Sequence, residues 1–99
     1  MNAMKIFLPV VVLLLSVSAI NAQNRKLQEK ADLLFENQEF YSAAGLYEKL
    51  AGATDADAEK ALFAEKAGDC YAGFLEYAKA IRWYQTAFNI TSDLKVEEK

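Results

Sequence analysis

Apolar residues change their spacing once along this chain, near residue 23, and the change divides the sequence in two. Before it, Ile6 to Leu15 is a continuous apolar run preceded by Lys5. The segments Ser16-Val17-Ser18-Ala19 and Ile20-Asn21-Ala22 follow it and carry small residues. After it, apolar residues recur at steps of three and four, the spacing that lines one face of an α-helix. Leu27, Ala31, Leu34 and Phe35 form a first stripe, and Phe40, Ala43, Ala44, Tyr47 and Leu50 a second. Ala64, Ala67, Gly68, Tyr71 and Phe74 form a third, and Tyr77, Ala80, Ile81, Tyr84, Ala87 and Phe88 a fourth. The stripes predict four amphipathic helices over 24–37, 40–51, 55–74 and 77–90.

The breaks between stripes have local causes. Asn37-Gln38 is a polar interruption, and Gly52-Ala53-Thr54 offers a glycine that can take the left-handed conformation closing a helix. Thr54 or Asp55 can then cap the third helix, with Asp57 and Glu59 set favourably against its N-terminal dipole. Ser92 or Asp93 could cap a further helix, so 91–99 reads as the start of one or as a frayed tail. No proline occurs after Pro9 to interrupt the pattern.

The second pair of helices repeats the first. Ala31, Leu34, Phe40, Ala43 and Tyr47 align with Gly68, Tyr71, Tyr77, Ala80 and Tyr84 at a constant offset of 37 residues. Generic amphipathicity does not produce five matches at one offset, so this is an internal repeat. Short connections make consecutive helices antiparallel neighbours, which predicts tandem helical hairpins over about 24–51 and 55–90. All ten aligned residues are expected in the core, with Gly68 present because two helices approach closely there.

These residues give the chain its resemblance to the tetratricopeptide repeat family. That family places a small residue and then an aromatic in its first helix, and an aromatic, an alanine and an aromatic in its second. Ala67-Gly68, Tyr71, Tyr77, Ala80, Tyr84 and Ala87 follow the pattern, while the first repeat departs from it with Leu50 where a small residue is usual. The resemblance implies an all-α fold, a two-repeat α-solenoid covering 23–90. A looser resemblance rests on the leader with Ala31 to Asn37, Gly68 to Tyr71 and Ile81 to Tyr84. It points to the N-terminal repeats of outer-membrane-associated proteins linked to type IX secretion, which continue into a propeller and a peptidoglycan-binding domain. Neither later domain is encoded in these 99 residues.

The apolar run at the N-terminus is too short to cross a bilayer about 30 Å thick. Its order of charge, apolar run and small residues is that of a cleavable signal peptide over 1–22, cut after Ala22 or alternatively after Ala19. The expected protein is exported, periplasmic or extracellular, with no stable membrane anchor after cleavage. The remainder carries ten basic residues against fourteen acidic, a formal charge of −4. Such a chain lacks the basic footprint of a nucleic-acid binder.

Chemistry is sparse. There is no histidine and a single cysteine, Cys70, which has no base to activate it and no partner for an internal disulfide. Asp55-Ala56-Asp57-Ala58-Glu59 alternates like the opening of a calcium loop. Lys60 and Lys66, however, stand where its glycine and bidentate glutamate belong. Asn89-Ile90-Thr91 is a glycosylation sequon, of consequence only in a eukaryotic secretory pathway. No catalytic, metal or cofactor residues are expected.

The resemblance leaves one candidate site, the concave groove that tetratricopeptide proteins use for ligands. Its lining would be Gln28, Asp32, Phe35 and Glu36 from the first repeat and Glu65, Asp69 and Ala72 from the second. Asp32 and Asp69 occupy positions where carboxylate-clamping members carry asparagine, so that activity is not implied. An acidic groove with an aromatic suits a basic or mixed peptide. The expected function is a non-enzymatic scaffold or adaptor of the cell envelope, tied to secretion machinery. The alternatives are a structural protein that self-associates through uncapped repeat faces, and the N-terminal part of a larger peptidoglycan-associated envelope protein.

Overall fold

A computed structural model of the chain describes residues 21–97, with side chains from 21 to 94. All of the expected leader except Asn21 and Ala22, and the final residues of the 91–99 tail, lie outside the described residues. Within them the chain is all-α, four helices without a strand. Helix α1 occupies 21–36, α2 Phe40–Ala53, α3 Asp57–Gly73 and α4 Tyr77–Glu97. No described helix is long and apolar enough to cross a membrane.

Three-residue connections join the helices, and α3 packs against both α2 and α4. That central position explains its composition. Ala61, Phe63, Ala64, Ala67, Gly68 and Cys70 are buried around α3 rather than along one stripe, as expected of a helix covered on more than one side. The buried face of α2 is narrower: Ala43, Ala44, Tyr47, Leu50 and Ala51.

The 37-residue repeat is written into the backbone. After α1, the Gln38 N–H donates to the Phe35 carbonyl at 3.0 Å and the Glu39 N–H to the Leu34 carbonyl at 2.9 Å. After α3, the Leu75 N–H donates to the Ala72 carbonyl at 3.2 Å and the Glu76 N–H to the Tyr71 carbonyl at 2.8 Å. Every donor and acceptor is displaced by 37 residues, and both sets form the paired closure of a Schellman turn. Gln38 and Leu75 hold the left-handed position that such a turn requires, with φ of 62° and 69°.

Several sequence expectations shift against this frame. Gly52 does not terminate α2: it lies inside the helix, and no described glycine has positive φ. Instead Thr54 turns extended, at φ −95° and ψ 141°, while its N–H still reaches the Leu50 carbonyl. Neither Thr54 nor Asp55 is the N-cap of α3: Ala56 holds that position, the helix begins at Asp57, and no side chain caps it. The Thr54 hydroxyl organises that start from outside, accepting from the Ala56 N–H at 3.2 Å and donating to Glu59 at 2.9 Å. No new helix begins at Ser92 or Asp93. Nothing interrupts the chain there, and α4 runs through to Glu97 with the Thr91 hydroxyl bonded to the Ala87 carbonyl one turn back.

The core is thin and tightly spaced. Alanine supplies eight of its twelve buried apolar residues among those described, which lets the helices approach closely. Tyr47, Leu50 and Cys70 are the largest side chains buried completely. Rings fill the space between helices: Phe35 meets Phe40 edge-on at 5.5 Å, and Tyr47 stacks on Phe63 at 6.5 Å. Such pairs contribute about 0.5–1.5 kcal/mol each beyond their buried area.

Of the ten expected core residues, Ala31, Ala43, Tyr47, Gly68 and Ala80 are buried, and Leu34, Phe40 and Tyr71 are half-buried. Tyr77 and Tyr84 are not core residues, being 60 % and 38 % exposed. Tyr84 keeps one edge of its ring against Gly68 and its hydroxyl on Asp69 of α3, but no described helix covers the rest of the stripe.

Candidate partner-binding surfaces

Each hairpin is tied by the same hydrogen bond. Tyr47 of α2 donates its hydroxyl to Asp32 of α1, and Tyr84 of α4 donates to Asp69 of α3 at 2.6 Å. Burial and the carboxylate partner push the Tyr84 hydroxyl up to about 12 and raise that of Tyr47 further. Both therefore remain protonated donors at neutral pH. Asp32 and Asp69, expected as free groove acids, are thus acceptors within the framework of the repeat.

A cleft of about 450 Å³ brings together Gln28, Asp32, Phe35 and Glu36, the four groove residues expected from the first repeat. Glu65, Asp69 and Ala72 do not line it. The outer wall is supplied by Leu62, Phe63 and Lys66 of α3, with Tyr47 at its base. Adding 37 to the α1 positions gives the α3 residues of the second repeat, but no described helix beyond α4 can wall their cleft. The expected two-repeat groove is therefore, among the described residues, a pocket of the first repeat closed by the following hairpin. Lys66 changes its character too, since the ammonium sits 4.6 Å from the Phe35 ring centroid. The aromatic face expected to receive a basic side chain already has a cation on it.

On the opposite side, Tyr71 donates its hydroxyl to Glu48, and Lys79 lies 5.4 Å from the Tyr71 ring centroid. Together with Arg82, Trp83 and Thr86 they line a shallow recess of about 430 Å³. Cys70 is fully buried, and burial together with Asp69 pushes its thiol up to about 11 against a small opposing effect of Lys66. Among the described residues no three His, Cys, Asp or Glu side chains converge as metal ligands would.

The largest departure from expectation is on α4. Tyr77, Ile81, Tyr84 and Phe88 are 60, 56, 38 and 69 % exposed and fall on one face of the helix. Ala78, Gln85 and Asn89 flank that face, so it carries no charge along about three turns. Its counterpart on α2 is Phe40, Ala44, Tyr47 and Ala51, again 37 residues earlier, and α3 covers it. Sequence periodicity located both stripes, but it carried no sign of which one has a neighbour.

No family model matches this sequence, and comparison with curated proteins and with solved structures gives no significant match. Function must therefore be argued from the surfaces themselves.

Proposed function

We propose that this chain is an exported, non-enzymatic protein–protein interaction module built from two tetratricopeptide-like repeats, serving as a scaffold or adaptor of the cell envelope. One observation carries the reading: the α4 stripe is exposed while its equivalent on α2 is covered by a helix. Tyr47 is 1 % exposed and Tyr84 38 %, although both make the same bond to the same carboxylate position. An uncharged apolar face of this length is the kind of surface that marks an interaction site. The buried thiol of Cys70, with its ionisation pushed far above neutral, supports a reading without nucleophilic chemistry. The leader pattern of Lys5 and Ile6 to Leu15 supports export. A role in secretion machinery remains part of the proposal on the looser sequence resemblance alone.

A photo-crosslinking residue at Ile81, with a control at Gly45 whose Cβ direction is open, tests the reading in the producing cell. A distinct protein adduct at position 81 and none at 45 is expected. Equal patterns at the two positions, or no adduct at 81, would remove interaction through α4.

A further inference from the structure

We propose that the α4 stripe Tyr77–Ile81–Tyr84–Phe88 is the docking site for one amphipathic helix of a different protein, and that this helix resembles α3 in its chemistry. The inference rests on the interaction-module reading and names the partner of that same face. Its basis is continuity with an interface the molecule already contains. The offset of 37 residues that superposes the two turns and the two tyrosine–aspartate bonds also carries the α2 stripe onto the α4 stripe. What covers the first therefore describes what fits the second.

On α2 the covering helix is specific. Gly73 of α3 lies against Phe40 so closely that a Cβ there would fall 2.4 Å from the ring. Phe63, ten residues earlier in α3, stacks on Tyr47. Between them, Ala67 and Cys70 are buried in the same cluster as Ala44 and Ala51. The order, late α3 on early α2, makes the packing antiparallel. Transferred to α4, the pattern requires a glycine opposite Tyr77, small residues opposite Ile81 and an aromatic opposite Tyr84. Gln85 replaces Glu48, which accepts from the Tyr71 hydroxyl, so a hydroxyl donor on the incoming helix keeps a partner.

A second copy stacked head to tail does not supply that helix. The α1 positions corresponding to Phe63, Ala67, Cys70 and Gly73 are Lys26, Lys30, Leu33 and Glu36, all exposed. Glu36 would stand where the close approach to Tyr77 calls for a glycine, and Lys26 where an aromatic meets Tyr84, so this face does not reproduce the packing that α3 makes on α2. The outer face of α1 thus closes the stack, and the face of α4 continues it.

The probe is a fluorescently labelled peptide with the sequence of residues 57–74 of this chain, titrated into the purified protein by anisotropy. Saturable binding is expected, weakened about tenfold or more by Ile81→Lys or Phe88→Lys in the protein and by Gly73→Leu in the peptide. Gly45→Lys should leave it unchanged. Both stripe substitutions lie at exposed positions, and circular dichroism checks that helicity is retained. Absence of binding, or binding indifferent to Ile81→Lys, overturns the proposal. So does sedimentation of the purified protein as a dimer that Ile81→Lys dissociates, because the occupant would then be a second copy. A crosslinked partner at position 81 combined with a peptide that fails to bind rejects the α3-like helix and leaves the interaction module standing.

Discussion

Gly68 shows most directly how one residue sets the spacing of two helices. A Cβ at this position would lie 2.7 Å from the Tyr84 ring, and the same ring carries the hydroxyl bonded to Asp69. A side chain here therefore pushes the helices apart and pulls the hydrogen bond with them. Gly68→Leu should destabilise the fold by about 3 kcal/mol, within the range for overpacking. In a domain of this size that lowers the melting temperature by roughly 10 °C or more, and an unchanged melting curve would contradict the register. Close packing at Gly68 was legible in the sequence; the carboxylate at Asp69 was not. The spacing of 15 residues from Asp32 to Tyr47 recurs from Asp69 to Tyr84, but periodicity reports which face a residue occupies and not which polar partner it meets. Cys70 gives a second test at the same scale. Its thiol ionises at about 11 in the fold and near 9 when the chain is unfolded, so the unfolded chain loses its proton first. Stability is then intact below about pH 9 and falls by about 2–3 kcal/mol as the pH rises to about 11. Tyr71 and Tyr84, held at about 12, add a later loss above pH 10. Urea midpoints measured from pH 7 upward should decline from about pH 9 in the native chain and only from about pH 10 in Cys70→Ala. Coincident onsets would contradict the burial assigned to this thiol.

At the level of elements, the helices themselves were readable and their ends less so. Helices α1 to α3 fall within a few residues of their expected spans, because a stripe that must face a core fixes the helix that carries it, while α4 runs seven residues past its expected end at 90. The stops depend on backbone conformation instead. Glycine at 52 looked like a terminator, yet the left-handed residues are Gln38 and Leu75, neither of which announces itself by residue type. The turn is imposed by its two carbonyl acceptors and by packing, and the side chain tolerates the conformation. For a leucine that tolerance costs on the order of 1 kcal/mol. Leu75 is 70 % exposed, so removing its side chain sacrifices little contact. Leu75→Gly should therefore raise the melting temperature by several degrees, as differential scanning calorimetry would show. A decrease would mean that the exposed leucine makes contacts on which the fold depends.

Taken whole, the described helices form a repeat with a charged outer face on α1 and an apolar one on α4. On α1 the outward positions are Lys26, Lys30, Leu33 and Glu36, whereas on α4 they are Tyr77, Ile81, Tyr84 and Phe88. The sequence displays both sets, and the fourth stripe reads as core because apolar spacing is the same whether or not a neighbour is present. Only the three-dimensional arrangement separates a buried tyrosine at 47 from an open one at 84. On that difference rests the proposal that a partner covers the face of α4 in the cell. Hydroxyl-radical footprinting tests this most directly, applied to the chain inside the producing cell and again after purification, with Tyr47 as the internal reference. The account predicts that Tyr77, Tyr84 and Phe88 are protected in the cell and become reactive on purification, while Tyr47 stays protected in both. Equal reactivity of the α4 residues in the two settings would contradict it.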